Sequence, residues 1–280
     1  MNKIVIIVFA LAGIAAGQLS PAQASLPDGL YGWTRNRDVS GNIDFVSINE
    51  TTGQATFMFN MAVPSGSQGR DLTYDPTNGH FYGNLFTGGD GLFVDIDPLA
   101  QSMTTHTYTG FPRAGFEGVE YLQGNGIVLS GGDATGAFNV LYVVDHSGVM
   151  QQASQLLTGI IDQDHLGANS LGGDLHVLDT NDPTNGFKIN RWNDPFGLTP
   201  TLTGVYNGST LGPVDLAINP FAPASSGFYS SGLSRLLRYN INVNQVVVGN
   251  YNYSEIWGIA WTPEPSSLSL MLLAGLTLLR

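Results

Sequence analysis

No cysteine occurs anywhere in the 280 residues. That absence excludes disulfide staples, thiolate metal sites and a cysteine nucleophile. Positive charge is scarce as well: 10 Lys+Arg stand against 22 Asp+Glu, a net charge of −12. Phosphate backbones need a basic surface, so nucleic acid is excluded as a partner, and docking on anionic lipid is disfavoured for the same reason. Only two lysines are present, Lys3 and Lys188, too few for the Glu- and Lys-rich faces of exposed helices. No Gly-x-Ser-x-Gly elbow and no phosphate-binding glycine loop is found. The five histidines (His80, His106, His146, His165 and His176) include no pair at the i, i+4 spacing of a helical metal site.

What the chain does have is 36 Gly and 14 Pro, the residues of tight turns between short strands. It also has a period. The segments Val46–Asn49, Val94–Asp97, Tyr142–Asp145, Asn190–Asn193 and Leu237–Asn240 each end in Asp or Asn, at positions 49, 97, 145, 193 and 240, so the spacings are 48, 48, 48 and 47. A second set keeps step: Asp71-Leu72-Thr73-Tyr74, Gly118-Val119-Glu120-Tyr121, His165-Leu166-Gly167-Ala168, Asp215-Leu216-Ala217-Ile218 and Gly258-Ile259-Ala260-Trp261. Each unit reads as four short strands, with turn signals such as Asp75-Pro76-Thr77-Asn78-Gly79 between them.

Four-stranded units at this period predict an all-β, five-bladed β-propeller over residues 26–262. The first unit starts at Leu30-Tyr31-Gly32-Trp33, which matches a second strand, and Gly258–Trp261 is an inner strand with nothing after it. The two ends are therefore expected to complete one blade together and leave no open sheet edge. A β-sandwich is the competing fold, but it would not require a constant period.

The loops entering the inner strands bring polar residues toward one face: Gln68, Arg70 and Asp71, then Glu117, then Asp162, Asp164 and His165, then Asp215, then Glu255 and Trp257. Second-to-third strand loops add Asp38, Asp90, Asp133, Asp179 and Asp182. From these the expected ligand-binding set is Arg70, Asp71, Glu117, Asp164, His165, Asp215, Glu255 and Trp257. A ring of carboxylates suits sugar hydroxyls or a hard cation such as Ca2+, which takes oxygen ligands. Against the cation stands the ordinary role of Asp in turns, and no regular calcium loop occurs; the expectation is no cofactor, with Ca2+ as the alternative. Glycoside hydrolysis needs two carboxyl groups, and Asp71, Glu117, Asp164, Asp215 and Glu255 occupy related positions; no motif singles out a pair, so no catalytic residue is assigned, with Glu117 and Asp215 as the candidates to test. Trp33 is read onto the same face, whereas Tyr74 and Trp261, at equivalent inner-strand positions, are read as core between blades.

Both ends of the chain carry an address. Met1-Asn2-Lys3 is a short basic start, Ile4–Ala16 an apolar core, and Ala22-Gln23-Ala24 a small-x-small cleavage site. This is the layout of a signal peptide over residues 1–24, with Ser25 as the mature start. A spanning helix needs about 20 apolar residues, more than this core supplies. At the other end, residues 263–280 open with Pro263-Glu264-Pro265, continue as the apolar run Leu268–Leu279 and close on Arg280.

That tail resembles the PEP-CTERM sorting signal. The resemblance implies export in a Gram-negative, exopolysaccharide-making cell and processing by signal peptidase and by exosortase at the inner membrane. It implies transient anchoring there, then residence at the cell surface or in the extracellular matrix. The combined expectation is an exported, non-catalytic binding or structural protein whose partner is extracellular polysaccharide or an envelope protein. The alternative is a secreted glycosidase or lyase using carboxylates at the propeller mouth.

Overall fold

The computed structural model describes residues 26–34, 41–87, 91–112, 116–132, 140–154, 163–168, 174–179, 188–197, 201–207, 215–219, 228–232, 234–239, 245–253 and 255–263. Among the described residues there is no helix, and every regular element is a strand. Four strands in chain order make the second blade: β4 (Gln68–Asp75), β5 (His80–Phe86), β6 (Leu92–Asp97) and β7 (Ser102–His106). The third holds β8 (Phe116–Leu122), β9 (Gly126–Gly131), β10 (Val140–Val144) and β11 (Met150–Ala153). The fourth is β12 (Gln163–Ala168), β13 (Asp174–Asp179), β14 (Lys188–Asn193) and β15 (Thr201–Asn207). The fifth is β16 (Ala217–Ile218), β17 (Phe228–Gly232), β18 (Arg235–Tyr239) and β19 (Gln245–Asn250).

The first blade draws on both ends of the ring. Its order is β20 (Ile256–Thr262), β1 (Gly29–Thr34), β2 (Asn42–Ile48) and β3 (Ala55–Ala62). Strand β20 pairs antiparallel with β1 from Gly29↔Thr262 to Thr34↔Ile256. The expected five-bladed ring, closed by pairing of its terminal strands, is thus the fold.

Burial falls from the axis outward. Strands β9 and β10 are almost wholly buried, whereas the outer strands β7 and β11 are mostly exposed. Three of the repeating turns, those at Asn49, Asp97 and Asp145, work through one device, the Asx turn, in which a short side chain caps nearby amides. Asn49 Oδ1 accepts from the amides of Thr51 and Thr52 at 2.9 and 3.0 Å, and Asp97 Oδ1 accepts from Leu99 and Ala100, both at 2.9 Å. Asp145 Oδ1 accepts from the amides of Ser147 and Val149. Burial pushes the Asp145 carboxyl up, but the bonds from Ser147 and Val149 outweigh it and hold the group below its ordinary value.

Among the described residues Trp33 is the largest fully buried side chain, not a mouth residue. Its indole Nε1 donates to the Arg70 carbonyl at 2.6 Å. The ring fills a slot whose walls are glycine: an added Cβ would meet it at Gly69 on β4, Gly83 on β5 and Gly258 on β20. Three strands can close on one indole only because these positions carry no side chain.

Candidate functional site at the channel axis

Each inner strand that carries expected site residues is bulged where they occur. The register shifts between Gly69 and Leu72 on β4, between Phe116 and Val119 on β8, and between Gln163 and His165 on β12. In β20 the shift against β1 falls between Gly258 and Ile256, at Trp257. A bulge re-aims side chains and leaves backbone groups outside the ladder. Inner strands are also sheet edges, so the amides facing the channel need acceptors from elsewhere.

Two aspartates supply them. Asp71 and Asp215 have no exposed surface. Asp71 Oδ1 accepts from the Leu72 amide at 3.2 Å, and Oδ2 accepts from Val119 at 2.8 Å and Leu166 at 3.2 Å. One carboxylate therefore joins the inner strands of the second, third and fourth blades. Asp215 Oδ1 accepts from Leu216 at 2.6 Å and Oδ2 accepts from Ile259. The five amides at one repeat position, Leu72, Val119, Leu166, Leu216 and Ile259, thus converge on two carboxylates at the axis. This is a structural hub. It is a poor fit for Ca2+, because the oxygens a cation would need already accept backbone hydrogen bonds, and among the described residues no group of three or more His, Asp or Glu is placed to hold a metal ion.

Burial pushes the Asp215 carboxyl well above the ordinary carboxylate range, opposed by the amides of Ile259, Leu216 and Leu72. A native value above the unfolded value of about 3.9 means that the folded chain keeps a proton that the unfolded chain releases. The Asp215 contribution is then complete below about pH 4 and is lost as pH rises through the native value. Urea titrations across this range should show the wild type losing stability relative to Asp215→Asn by at most about 1.4 kcal/mol per pH unit. Parallel profiles for the two proteins would refute a raised native value.

The other expected site residues part company. Arg70 Nη1 donates to Glu117 Oε2 across the second and third blades, and its guanidinium lies 4.8 Å over the Phe86 ring centroid. Asp215 offers no surface to a substrate and Glu117 is engaged by Arg70, so the suggested catalytic pair does not present two open carboxyl groups. Glu255 and Trp257 stand half-buried at the start of β20. Asp164 and His165 lie on β12, and Asp179 on β13, with side chains outside the described residues. Asp38, Asp90, Asp133, Asp162 and Asp182 lie outside the described residues, as do Ala22, Ala24, Glu264 and Pro265.

At the other end of the inner strands a small pocket opens to solvent. Strands β4, β8, β16 and β20 all contribute to its wall, which places it on the axis. Tyr74, Tyr121 and Trp261 line it together with Glu120 and Pro263. Trp261 and Tyr74 pack half-buried against the core clusters, as expected, and their remaining surface lines this pocket. Glu120 is fixed in place: its Oε1 accepts from Thr73 Oγ1 at 2.7 Å and from the Tyr121 amide at 2.8 Å. The same Thr73 oxygen accepts a second bond from the Tyr121 amide at 2.8 Å.

Two histidine–aspartate pairs flank this face, although neither is visible as a sequence spacing. His80 Nδ1 lies 2.7 Å from Asp95 Oδ1, and His146 Nε2 lies 2.9 Å from Asp75 Oδ2. The His146 ring stacks on Tyr82 at 5.1 Å between centroids. Its partner Asp75 sits 71 residues away in sequence, so the pairing is a product of blade packing.

No protein-family profile matches the chain, and no curated protein matches it in sequence. Among solved structures, a chain of the crystal structure of a nidogen/laminin complex superposes with a TM-score of 0.54 at 14% identity, covering 84% of this chain and 99% of the other. TolB from Acinetobacter baumannii superposes at a TM-score of 0.47 and 12% identity, covering 85% of this chain and 58% of TolB. At these identities the first likeness bears on the fold, a β-propeller, and on nothing further.

Proposed function

We propose that the protein is an exported, non-catalytic binding or structural component of the cell surface or extracellular matrix, with polysaccharide or an envelope protein as its partner. The reading is carried by two terminal segments with the layout of export and sorting signals, together with a ring whose central acids hold strands together. Asp71 and Asp215 are engaged by backbone amides and Glu117 by Arg70, which favours a rigid binding scaffold over acid–base chemistry. Signal peptidase removes residues 1–24, and exosortase acts at Pro263-Glu264-Pro265 while the tail is held transiently at the inner membrane.

Intact mass of the protein released by an exosortase-bearing Gram-negative host tests the address. The expected species starts at Ser25 and lacks the apolar tail. A released protein that retains Arg280 would count against sorting. Binding is tested separately on a glycan array with the same mature protein, where a blank array would remove polysaccharide as the partner.

A further inference from the structure

The two ends of the ring meet at one place. Leu26, the first described residue, is buried in the core cluster that holds Tyr31 and Ala260. The Pro27 carbonyl beside it accepts from the Tyr31 hydroxyl at 3.0 Å and from Thr262 Oγ1 at 2.9 Å. Thr262 is itself buried at the end of β20, opposite Gly29 of β1. Pro263, the last described residue, is buried too and lines the axial pocket with Trp261, Tyr74 and Pro76. The chain is therefore pinned as far as Leu26 on one side and Pro263 on the other, both at the exit end of the inner strands.

Each pinned end leads to an apolar run. Four residues, 264–267, separate Pro263 from the uncharged run Leu268–Leu279, and fully extended they reach at most about 14 Å. Nine residues, 17–25, separate Leu26 from the apolar core Ile4–Ala16, a reach of at most about 32 Å. The tail is the shorter tether, and it leaves the ring beside the axis rather than at the rim. An inner strand such as β4, β8 or β20 is about 20 Å long. A bilayer that takes up Leu268–Leu279 therefore holds the exit end close and leaves the bulged end on the far side. The ring body adds no pull of its own toward anionic lipid, since the turns at the exit end carry Glu50, Asp97 and Asp145 and the chain has a net charge of −12.

We infer that the anchored chain stands with the exit end of its inner strands toward the bilayer and presents the opposite, bulged end to its surroundings. The inference rests on the tail-anchoring reading above and adds which end is free. A polysaccharide or envelope partner is then met, while the chain is anchored, at the end that carries the Arg70–Glu117 pair, Phe86 and Trp257. The axial pocket with Tyr74, Tyr121 and Trp261 is turned to the lipid.

The test uses the chain from Ser25 to Arg280 reconstituted with phosphatidylcholine vesicles, and flotation reads the anchoring. Because the sequence has no cysteine, one introduced thiol gives one labelled position. Gln123→Cys puts a fluorophore on the exposed β8–β9 turn at the exit end, and Ser65→Cys puts it on the exposed turn that enters β4 at the bulged end. A collisional quencher on the lipid headgroups should act at least about threefold more strongly at position 123 than at position 65, because the two ends stand about one inner strand apart. An unchanged melting temperature shows that each labelled variant keeps the ring. Leu272→Arg places a charge in the apolar run and should abolish flotation together with both quenching signals.

Flotation with equal quenching at the two positions, or with stronger quenching at position 65, would overturn the orientation and leave the anchoring reading standing. Flotation that survives Leu272→Arg would mean that the ring body binds lipid, which overturns the tether as the cause. An unsubstituted chain that fails to float would refute anchoring by the tail, and the orientation falls with it.

Discussion

Replacing Asp71 by alanine is expected to destabilise the ring by at least about 3 kcal/mol, since each buried donor left without an acceptor costs about 1–3 kcal/mol. Three amides, Leu72, Val119 and Leu166, would lose their carboxylate at once. Those amides belong to three different blades, so the loss should loosen the axis rather than one sheet. Asp71→Asn should fall between the alanine variant and the wild type, because the amide oxygen still accepts while its NH2 group opposes a donor. Asp97→Ala, which removes an exposed turn cap on Leu99 and Ala100, should cost only about 1 kcal/mol. Urea denaturation monitored by circular dichroism orders the three variants. A role for Asp71 in ligand binding alone would instead leave stability unchanged, and an Asp71→Ala midpoint equal to that of the wild type would refute the hub.

The second large effect is expected at the Trp33 slot. A Cβ at Gly83 would stand 2.6 Å from Trp33 Cη2 and 2.9 Å from the Asp71 carbonyl oxygen. One of these neighbours is backbone of the bulge that aims Asp71, so Gly83→Ala should cost about 1–3 kcal/mol or more. Trp33→Ala should cost about 3–5 kcal/mol through lost burial and the cavity left behind, and it also strips the Arg70 carbonyl of its indole donor. Combining the two should cost clearly less than the sum, because the added methyl would then enter the space the indole vacates. Strict additivity in the double-mutant cycle would mean that the glycine is required for some reason other than the ring.

The distinction between hub and collar was half legible in the chain. The five residues directly before the axial amides are Asp71, Gly118, His165, Asp215 and Gly258. Only Asp71 and Asp215 are carboxylates in that register. Glu117 stands one residue earlier, and in a strand one residue turns a side chain to the other face. Grouping Glu117 with Asp71 and Asp215 as one ring of acids overlooked this offset. Its ion pair with Arg70 and the buried position of the two aspartates follow from alternation once the strand register is known. At Gly118 the structure adds a reason: a Cβ there would meet Leu166 Cγ of the next blade and Ser130 Oγ of its own, both at 2.8 Å, so this position cannot carry an acid.

The pocket was less legible. Tyr74, Tyr121 and Trp261 share one repeat position, which marked them as equivalent but did not say whether they face a core or an opening. Two positions of the same set, Ala168 and Ile218, are smaller, and unequal side chains around a shared axis are one source of unfilled space. The address at the two ends, by contrast, is a reading of the sequence alone.

By itself the sequence determined the number of blades, their turns and the closure of the ring. Those depend on local chemistry repeated at a constant interval: alternating strands, turn residues and one blade divided between three strands at the first end and one at the last. Tertiary structure decided which residues of one type do which work. Asp71 is an axial acceptor while Asp97 caps a turn, and Trp33 fills a glycine slot while Trp261 lines a pocket. The physical reason is that these roles are set by donors and walls from strands about one or two repeats away, Val119 and Leu166 for Asp71, Gly69 and Gly83 for Trp33. Such partners meet only when five sheets, each locally specified, share one axis.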